Sequence, residues 1–348
     1  MPETSTFSYP FSFAPTPTET IAGTVTLSAV KHDGNTLTRS AVVQSGTAEV
    51  AVELYSNTPS TAVLYLHQMK ISPHHAKLLD ISPKLVGTTM TLPGQLLLGG
   101  TRVGYFAEAV GGMLSTAYFR RLAKTYSQTE IVIVPVLREG VKYQIAEKMV
   151  EQFGYYCEEV VADAHHVLDD TVGGYGRRVD VTAFKDMDLT DAERQHIKCA
   201  IVGDSTASGI VVIGLLQKLT DRFPNLERVE VIAPLATLFA CARIAQHVPA
   251  KLKLQLHAFE TLLNSELPDF YWSPHFTQLE LHMNPALQSA YRKWWGQDAQ
   301  GLWVADTACA GYGWSEAFFH PQKFVRMMNG ELQRRHNLTI AQIIARQK

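Results

Sequence analysis

The stretch AIVGDSTASGIVVIGLLQKL, residues 200–219, predicts a buried strand, a tight turn and a helix. Ala200, Ile201 and Val202 are apolar and lead into Gly203 and Asp204. Ser205, Thr206, Ala207, Ser208 and Gly209 are small, and three of them carry hydroxyls. From Ile210 onward apolar residues recur at helical spacing. Small residues let backbone amides come close to a ligand, and the following helix aims its first N–H groups at the same point. That combination suits a phosphate. Asp204 repels a phosphate but suits sugar hydroxyls, or a metal ion held through water. The plain alternative is an Asp/Ser cap cluster with no ligand, which is common before helices.

Working outward, EIVIVPVLREG (130–140) predicts a second buried strand, with Arg138 directly after it and Gly140 permitting an unusual backbone. A guanidinium at that place suits a diphosphate; pairing with Glu139 or another acid is the competing reading. CEEVVADAHHV (157–167), RVDVTAFKDM (178–187), RVEVIAPLA (228–236) and KLKLQLHAF (251–259) predict further strands. Helices are expected over FAEAVGGMLSTAYFRRLAKTY (106–126), with a weak point at its Gly-Gly, over VKYQIAEKMVEQFG (141–154) and over TLFACARIAQHV (237–248). Strands alternating with helices predict a parallel sheet whose ligands sit at the carboxyl ends of the strands. Before residue 95 the texture differs. Short Thr/Val/Ser-rich runs separated by HDGN and SNTPS predict a β-rich N-terminal domain or sheet extension over 1–94, and SPHHAKLL (72–79) predicts a helix start.

Bulk properties are those of an ordinary globular chain. The 348 residues are 46% hydrophobic and 18% charged, with a formal net charge of -2. No basic field points to nucleic acid. No apolar run approaches the roughly 20 residues that span a bilayer. The N-terminus lacks the basic-then-apolar pattern of a signal peptide. Cys157, Cys199, Cys241 and Cys309 are far apart and form no C-x-x-C pair, so scattered thiols in a reducing cytoplasm are expected rather than a zinc site. His165 and His166 read as hydrogen-bonded strand residues, Asp169 and Asp170 as solvated loop acids, and Arg177 and Arg178 equally as a solvated turn or as a closure over diphosphate.

The order of these segments resembles a type I phosphoribosyltransferase, most closely the uracil-specific family. Pro135 to Gly140 is similar to that family's P-I-L-R-A-G diphosphate loop, with Glu139 in place of alanine. VGDSTASGIV (202–211) is similar to its V-D-P-M-L-A-T-G-G-S ribose-phosphate loop, and Lys185 stands where the family has a lysine near the end of a variable hood. The resemblance spans roughly residues 95 to 320. It departs at Gly203, where the family has an acid, at Ile210 and Val211, and in an aromatic insertion over 265–309 that delays the base-binding loop to GYGWSEAFF, 311–319. Trp314 there stands in place of an aspartate.

The resemblance implies an α/β phosphoribosyltransferase domain over 95–348. It would bind phosphoribosyl diphosphate with Mg²⁺ carried in on the diphosphate, and no metal-ligand set of its own. Asp204, Ser205, Thr206, Ala207, Ser208 and Gly209 would hold ribose 5-phosphate. Leu137, Arg138, Glu139 and Gly140 would hold diphosphate. Ala310, Gly311, Tyr312, Gly313 and Trp314 would hold a small planar acceptor. Arg138, Lys185 and Asp204 would be catalytic. A cytoplasmic homo-oligomer is expected. The alternative is a regulatory module of the same fold that binds a nucleotide or phosphosugar without turnover.

Overall fold

The computed structural model describes residues 6–16, 19–57, 66–93, 100–137, 139–168, 177–185, 188–263 and parts of 322–346. Strands β1 (Phe7–Thr16), β2 (Glu19–Leu27), β3 (Lys31–Asp33), β4 (Thr36–Ser45) and β5 (Ala48–Asn57) pair antiparallel. A separate hairpin, β6 (Leu66–Lys70) and β7 (Thr89–Pro93), encloses the short helix α1 (Pro73–Leu78). Ser72 caps α1 by accepting from the His75 amide at 3.1 Å, as its position before Pro73 suggests. Helices α2 (Gly100–Leu114) and α3 (Ala117–Thr125) follow.

The remaining elements alternate. They are β8 (Ile131–Pro135), α4 (Ile145–Phe153), β9 (Glu158–Glu159), β10 (Val161–Leu168), β11 (Arg177–Lys185), α5 (Asp191–His196), β12 (Cys199–Gly203), α6 (Ile210–Arg222), β13 (Arg228–Thr237), α7 (Leu238–His247) and β14 (Lys253–Leu263). The main sheet has ten strands in the order β1-β2-β4-β5-β14-β13-β12-β8-β9, with β3 on β4. From β5 to β9 every pairing is parallel. The N-terminal strands thus run on from the α/β sheet through the parallel pairing of β5 with β14.

Alternation along the parallel strands feeds two cores. Ile131, Ile133, Cys199 and Ile201 pack on one face with Phe106, Met113 and Phe119. Val132, Val134, Ala200 and Val202 pack on the other with Leu215, Leu219 and Phe239. β8 and β12 are buried at every position, the signature of strands covered on both faces. On the second face α7 also covers the N-terminal strands, and Phe13 meets Phe239 edge-on with ring centroids 5.7 Å apart.

Three local readings change. The helix break falls at Ser115–Thr116, not at Gly111–Gly112, and α2 runs through both glycines. The Ser115 and Thr116 hydroxyls donate to the carbonyls of Gly112 and Met113, each at 2.7 Å, which offers the backbone an exit from the helix. The expected 141–154 helix opens as a 3-10 turn over Gly140–Tyr143, and left-handed Gln144 (φ 54°) separates it from α4. β10 and β11 pair with each other as an antiparallel hairpin outside the main sheet, with β11 resting on α6.

Candidate functional site

β8 and β12 are parallel neighbours, in register from Ile131↔Cys199 to Pro135↔Gly203. Their carboxyl ends therefore coincide, and both sequence-selected loops leave the same sheet edge. The first loop folds back at once. The Val136 amide donates to the Gly203 carbonyl at 3.0 Å, and the Gly140 amide donates to the Val136 carbonyl at 2.8 Å. Gly140 thereby lies on Gly203, and a Cβ built on it would stand 2.1 Å from the Gly203 oxygen. A Cβ on Gly203 would in turn come within 2.9 Å of Ile145 and 3.2 Å of Tyr143. A side chain at Gly203 would have to displace these two neighbours.

The acid comes one residue later. Asp204 is only 8% exposed, and its Oδ2 has no hydrogen-bond partner. Burial pushes its carboxyl well above the usual carboxylate range and Glu139 adds to the rise, while the Ser205 amide works against it. Glu139 is 3% exposed and accepts a 2.5 Å hydrogen bond from the Tyr143 hydroxyl. Tyr143 is itself fully buried, edge-on to Phe106 and Phe259, so Glu139 is held by a rigid aromatic group.

The second loop begins as a continuation of β12. The Asp204 amide donates to Ile232 at 3.1 Å and the Thr206 amide to Leu235 at 3.2 Å, while Thr206 accepts from the Thr237 amide at 3.1 Å. The first part of the loop thus commits alternate amides to β13. β13 outruns β12, so its spare carbonyls take the first alternate amides. Among the described residues no acceptor is found for the amides of Ala207, Ser208 and Gly209. These lie at the start of α6, where the helix dipole favours negative charge. Gly209, at φ 79°, turns the chain into that helix against the Ala240 carbonyl.

Two residues that sequence reasoning did not select brace the loop. The Thr237 hydroxyl donates to the Ala207 carbonyl at 2.6 Å and accepts from the Ala240 amide at 2.9 Å, so the cap of α7 doubles as a clip on the loop. The Arg243 guanidinium reaches the Ser208 carbonyl at 3.3 Å. A threonine before the helical run LFACARIA was a readable cap signal; its second bond was not. The Thr206 hydroxyl is fully buried and has no partner.

Leu137, Glu139 and Gly140 thus come together with Asp204 to Gly209. The Leu137 amide donates to Ala162 at 2.8 Å, which ties the β10–β11 hairpin to the loop. Lys185 ends β11 opposite Val161, one step from that tie, with its side chain exposed. Arg138 lies outside the described residues, as do the insertion over 265–309 and the acceptor residues Ala310, Gly311, Tyr312, Gly313 and Trp314. His165 pairs with Asp163 at 3.0 Å. Among the described residues no group of three or more His, Cys, Asp and Glu side chains could hold a metal, and no helix is long and apolar enough to cross a membrane.

No protein-family model matches the sequence, and no curated protein gives a significant match. Solved structures that match part of the chain include phosphoribosyltransferases, all at low identity and with TM-scores below 0.5. An adenine phosphoribosyltransferase from Leishmania tarentolae is 14% identical with a TM-score of 0.33, covering 63% of this chain and 94% of its own. The adenine enzyme from Trypanosoma brucei, in complex with AMP, pyrophosphate and ribose-5-phosphate, is 12% identical with a TM-score of 0.32, covering 68% and 94%. A purine phosphoribosyltransferase from Pyrococcus horikoshii Ot3 is 14% identical with a TM-score of 0.29, covering 48% and 94%. What the site can do is read from its own residues.

Proposed function

We propose that the chain transfers ribose 5-phosphate from phosphoribosyl diphosphate to a nitrogenous base or another planar acceptor, releasing diphosphate. The observation that carries this reading is one sheet edge holding uncommitted amides at Ala207–Gly209 beside the unpartnered, buried Asp204 carboxyl. The amides and the α6 N-terminus suit the 5-phosphate. Asp204 suits the ribose hydroxyls, whose protons its Oδ2 lacks. The neighbouring turn Leu137–Gly140 suits the diphosphate, with Arg138 supplying charge. Displacement at the anomeric carbon develops oxocarbenium character, and the protein's part is to orient the reactants and stabilise the leaving diphosphate. Magnesium would be carried in on the diphosphate, with Asp204 facing its water shell, and would supply charge to the departing diphosphate. Trp314 in place of an acid suits a larger or flatter acceptor than uracil.

Titration calorimetry with phosphoribosyl diphosphate and Mg²⁺, followed by a diphosphate-release assay over a panel of bases, tests the reading. Binding and release with at least one base are expected. Binding without release on any base would favour the non-turnover module, a reading supported by the buried carboxylate of Glu139 within an anion loop.

A further inference from the structure

We propose that helix α7 fits the turn Ala207–Gly209 to a phosphate monoester. Thr237 and Arg243 are its positioning residues: they hold two consecutive carbonyls of the turn so that the amides which follow face the anion. The Arg243 guanidinium also supplies positive charge, and no residue from 204 to 209 is basic. The turn is docked on this one helix residue by residue. The Ala207 carbonyl accepts from the Thr237 hydroxyl at 2.6 Å, and the Ser208 carbonyl accepts from the Arg243 guanidinium at 3.3 Å. Gly209 lies against the next positions, where a built Cβ would stand 3.0 Å from the Ala240 oxygen and 3.2 Å from Ile244. Residues 240, 243 and 244, three and four apart, share one stripe of α7.

A peptide unit is planar and trans, so its carbonyl and the amide that follows point in opposite directions. Holding the Ala207 and Ser208 carbonyls toward α7 therefore turns the amides of Ser208 and Gly209 away from it. Neither amide has an acceptor among the described residues. A carbonyl that accepts from a cation also polarises its own amide, which makes that amide a better donor. Two further groups mark the turn as one that receives a ligand. Thr206 carries a fully buried hydroxyl with no partner, and the buried Asp204 carboxyl has an unsatisfied oxygen. The placement of Arg243 is itself supported. Its guanidinium carbon lies 5.4 Å from the centre of the Phe239 ring, one helical turn earlier. That ring is fully buried and braced edge-on by Phe13 of β1. Arg243 is half-buried, where salt screens a charge less than at an open surface. The role of Thr237 and Arg243 rests on the reading that this turn takes the 5-phosphate of a phosphorylated ribose.

The test is titration calorimetry of the full chain with ribose 5-phosphate and with phosphoribosyl diphosphate, with the thermal melt as the check on folding. Arg243→Met keeps the stem over Phe239 and removes the charge. It should weaken both ligands by the same factor, about tenfold or more, since both carry the 5-phosphate. Arg243→Lys keeps the charge without the planar fork and should recover part of the loss. If Arg243→Met fails to fold, Arg243→Lys decides, with roughly a threefold loss expected. Added salt should weaken binding to the unaltered chain more steeply than binding to Arg243→Met, a difference that a purely structural brace does not produce. Unchanged affinity for ribose 5-phosphate in the Arg243 variants, parallel salt dependence, or a loss confined to phosphoribosyl diphosphate overturns this role and leaves the phosphoribosyl reading standing. No binding of either ligand to the unaltered chain overturns both.

Discussion

At the scale of single residues, the site is a place where the fold gives up stability. The Asp204 carboxyl binds its proton more tightly in the folded chain than in the unfolded one. Its contribution to stability is full below the unfolded value and is lost as pH rises through the raised folded value. The ligand-free chain should therefore melt at lower temperature as pH climbs above the ordinary aspartate range. Asp204→Asn should flatten that dependence and raise Tm near neutrality by on the order of 2 °C, as calorimetry across pH can check. The same variant should weaken phosphoribosyl diphosphate binding by roughly tenfold to a hundredfold, the loss expected for hydrogen bonds to a charged group. Gly140→Ala tests the opposite kind of constraint. Its Cβ has only backbone to displace, so a cost of about 1–3 kcal/mol in urea unfolding is expected, together with loss of ligand binding. Gly203 and Asp204 were legible as a turn that could hold something. That Gly203 is packed against Ile145 and Tyr143 was not legible, because both lie far along the chain.

At the scale of elements, the β12–α6 junction was readable because its signals are local: a buried apolar run, small residues, then helical spacing. The β10–β11 hairpin was readable as two strands, yet its alternation reads alike in any sheet, and only contact with α6 assigns it. The braces were hidden for a related reason, since they arrive from elements whose local signals speak of something else. Thr237 is one. Thr237→Val should cost about 1–2 kcal/mol through the lost cap of α7, and Thr237→Ser should restore most of it. If the clip on Ala207 matters for the site, Thr237→Val also weakens phosphate binding in calorimetry, which cap loss at a remote helix would not do. Asp33 is another brace. Thr116 gives α3 no side-chain cap, and the Ala117 amide donates instead to the Asp33 carboxylate at 2.5 Å, with Arg120 pairing to the same acid. Asp33→Ala should lower stability by about 1 kcal/mol in denaturant melts. A neutral result would mean that the N-terminal hairpin merely rests on α3.

At the scale of the whole molecule, a buried polar chain ties the N-terminal strands to the α/β sheet, and it lies toward the end of β13 away from the candidate site. Glu230 on β13 and His257 on β14 are both fully buried and meet at 2.6 Å. His257 meets the Tyr55 hydroxyl of β5 at 2.9 Å. Glu230 also accepts from Tyr118 of α3 at 2.9 Å and from Arg228. Burial and Glu230 hold the Tyr118 hydroxyl far above its ordinary range, so it remains a donor. Nothing in the sequence announced this chain, because Tyr55 and His257 stand 202 positions apart. Every member has its hydrogen bonds, and in a low-dielectric interior each depends on the others. Removing one partner from a buried ion pair costs about 3–5 kcal/mol, so Glu230→Gln should destabilise strongly. Tyr55→Phe should cost about 1–3 kcal/mol by leaving His257 short of a partner. Combined, the two changes should cost less than their sum, a coupling that a double-mutant cycle measures. The same tie makes the N-terminal strands indispensable. Deleting residues 1–57 would strip β14 of its neighbour and uncover the α7 face that Phe13 covers, so the shortened chain should aggregate or lose its cooperative melt. A truncated chain that melts as sharply and as high as the full one would show the N-terminal strands to be a detachable layer.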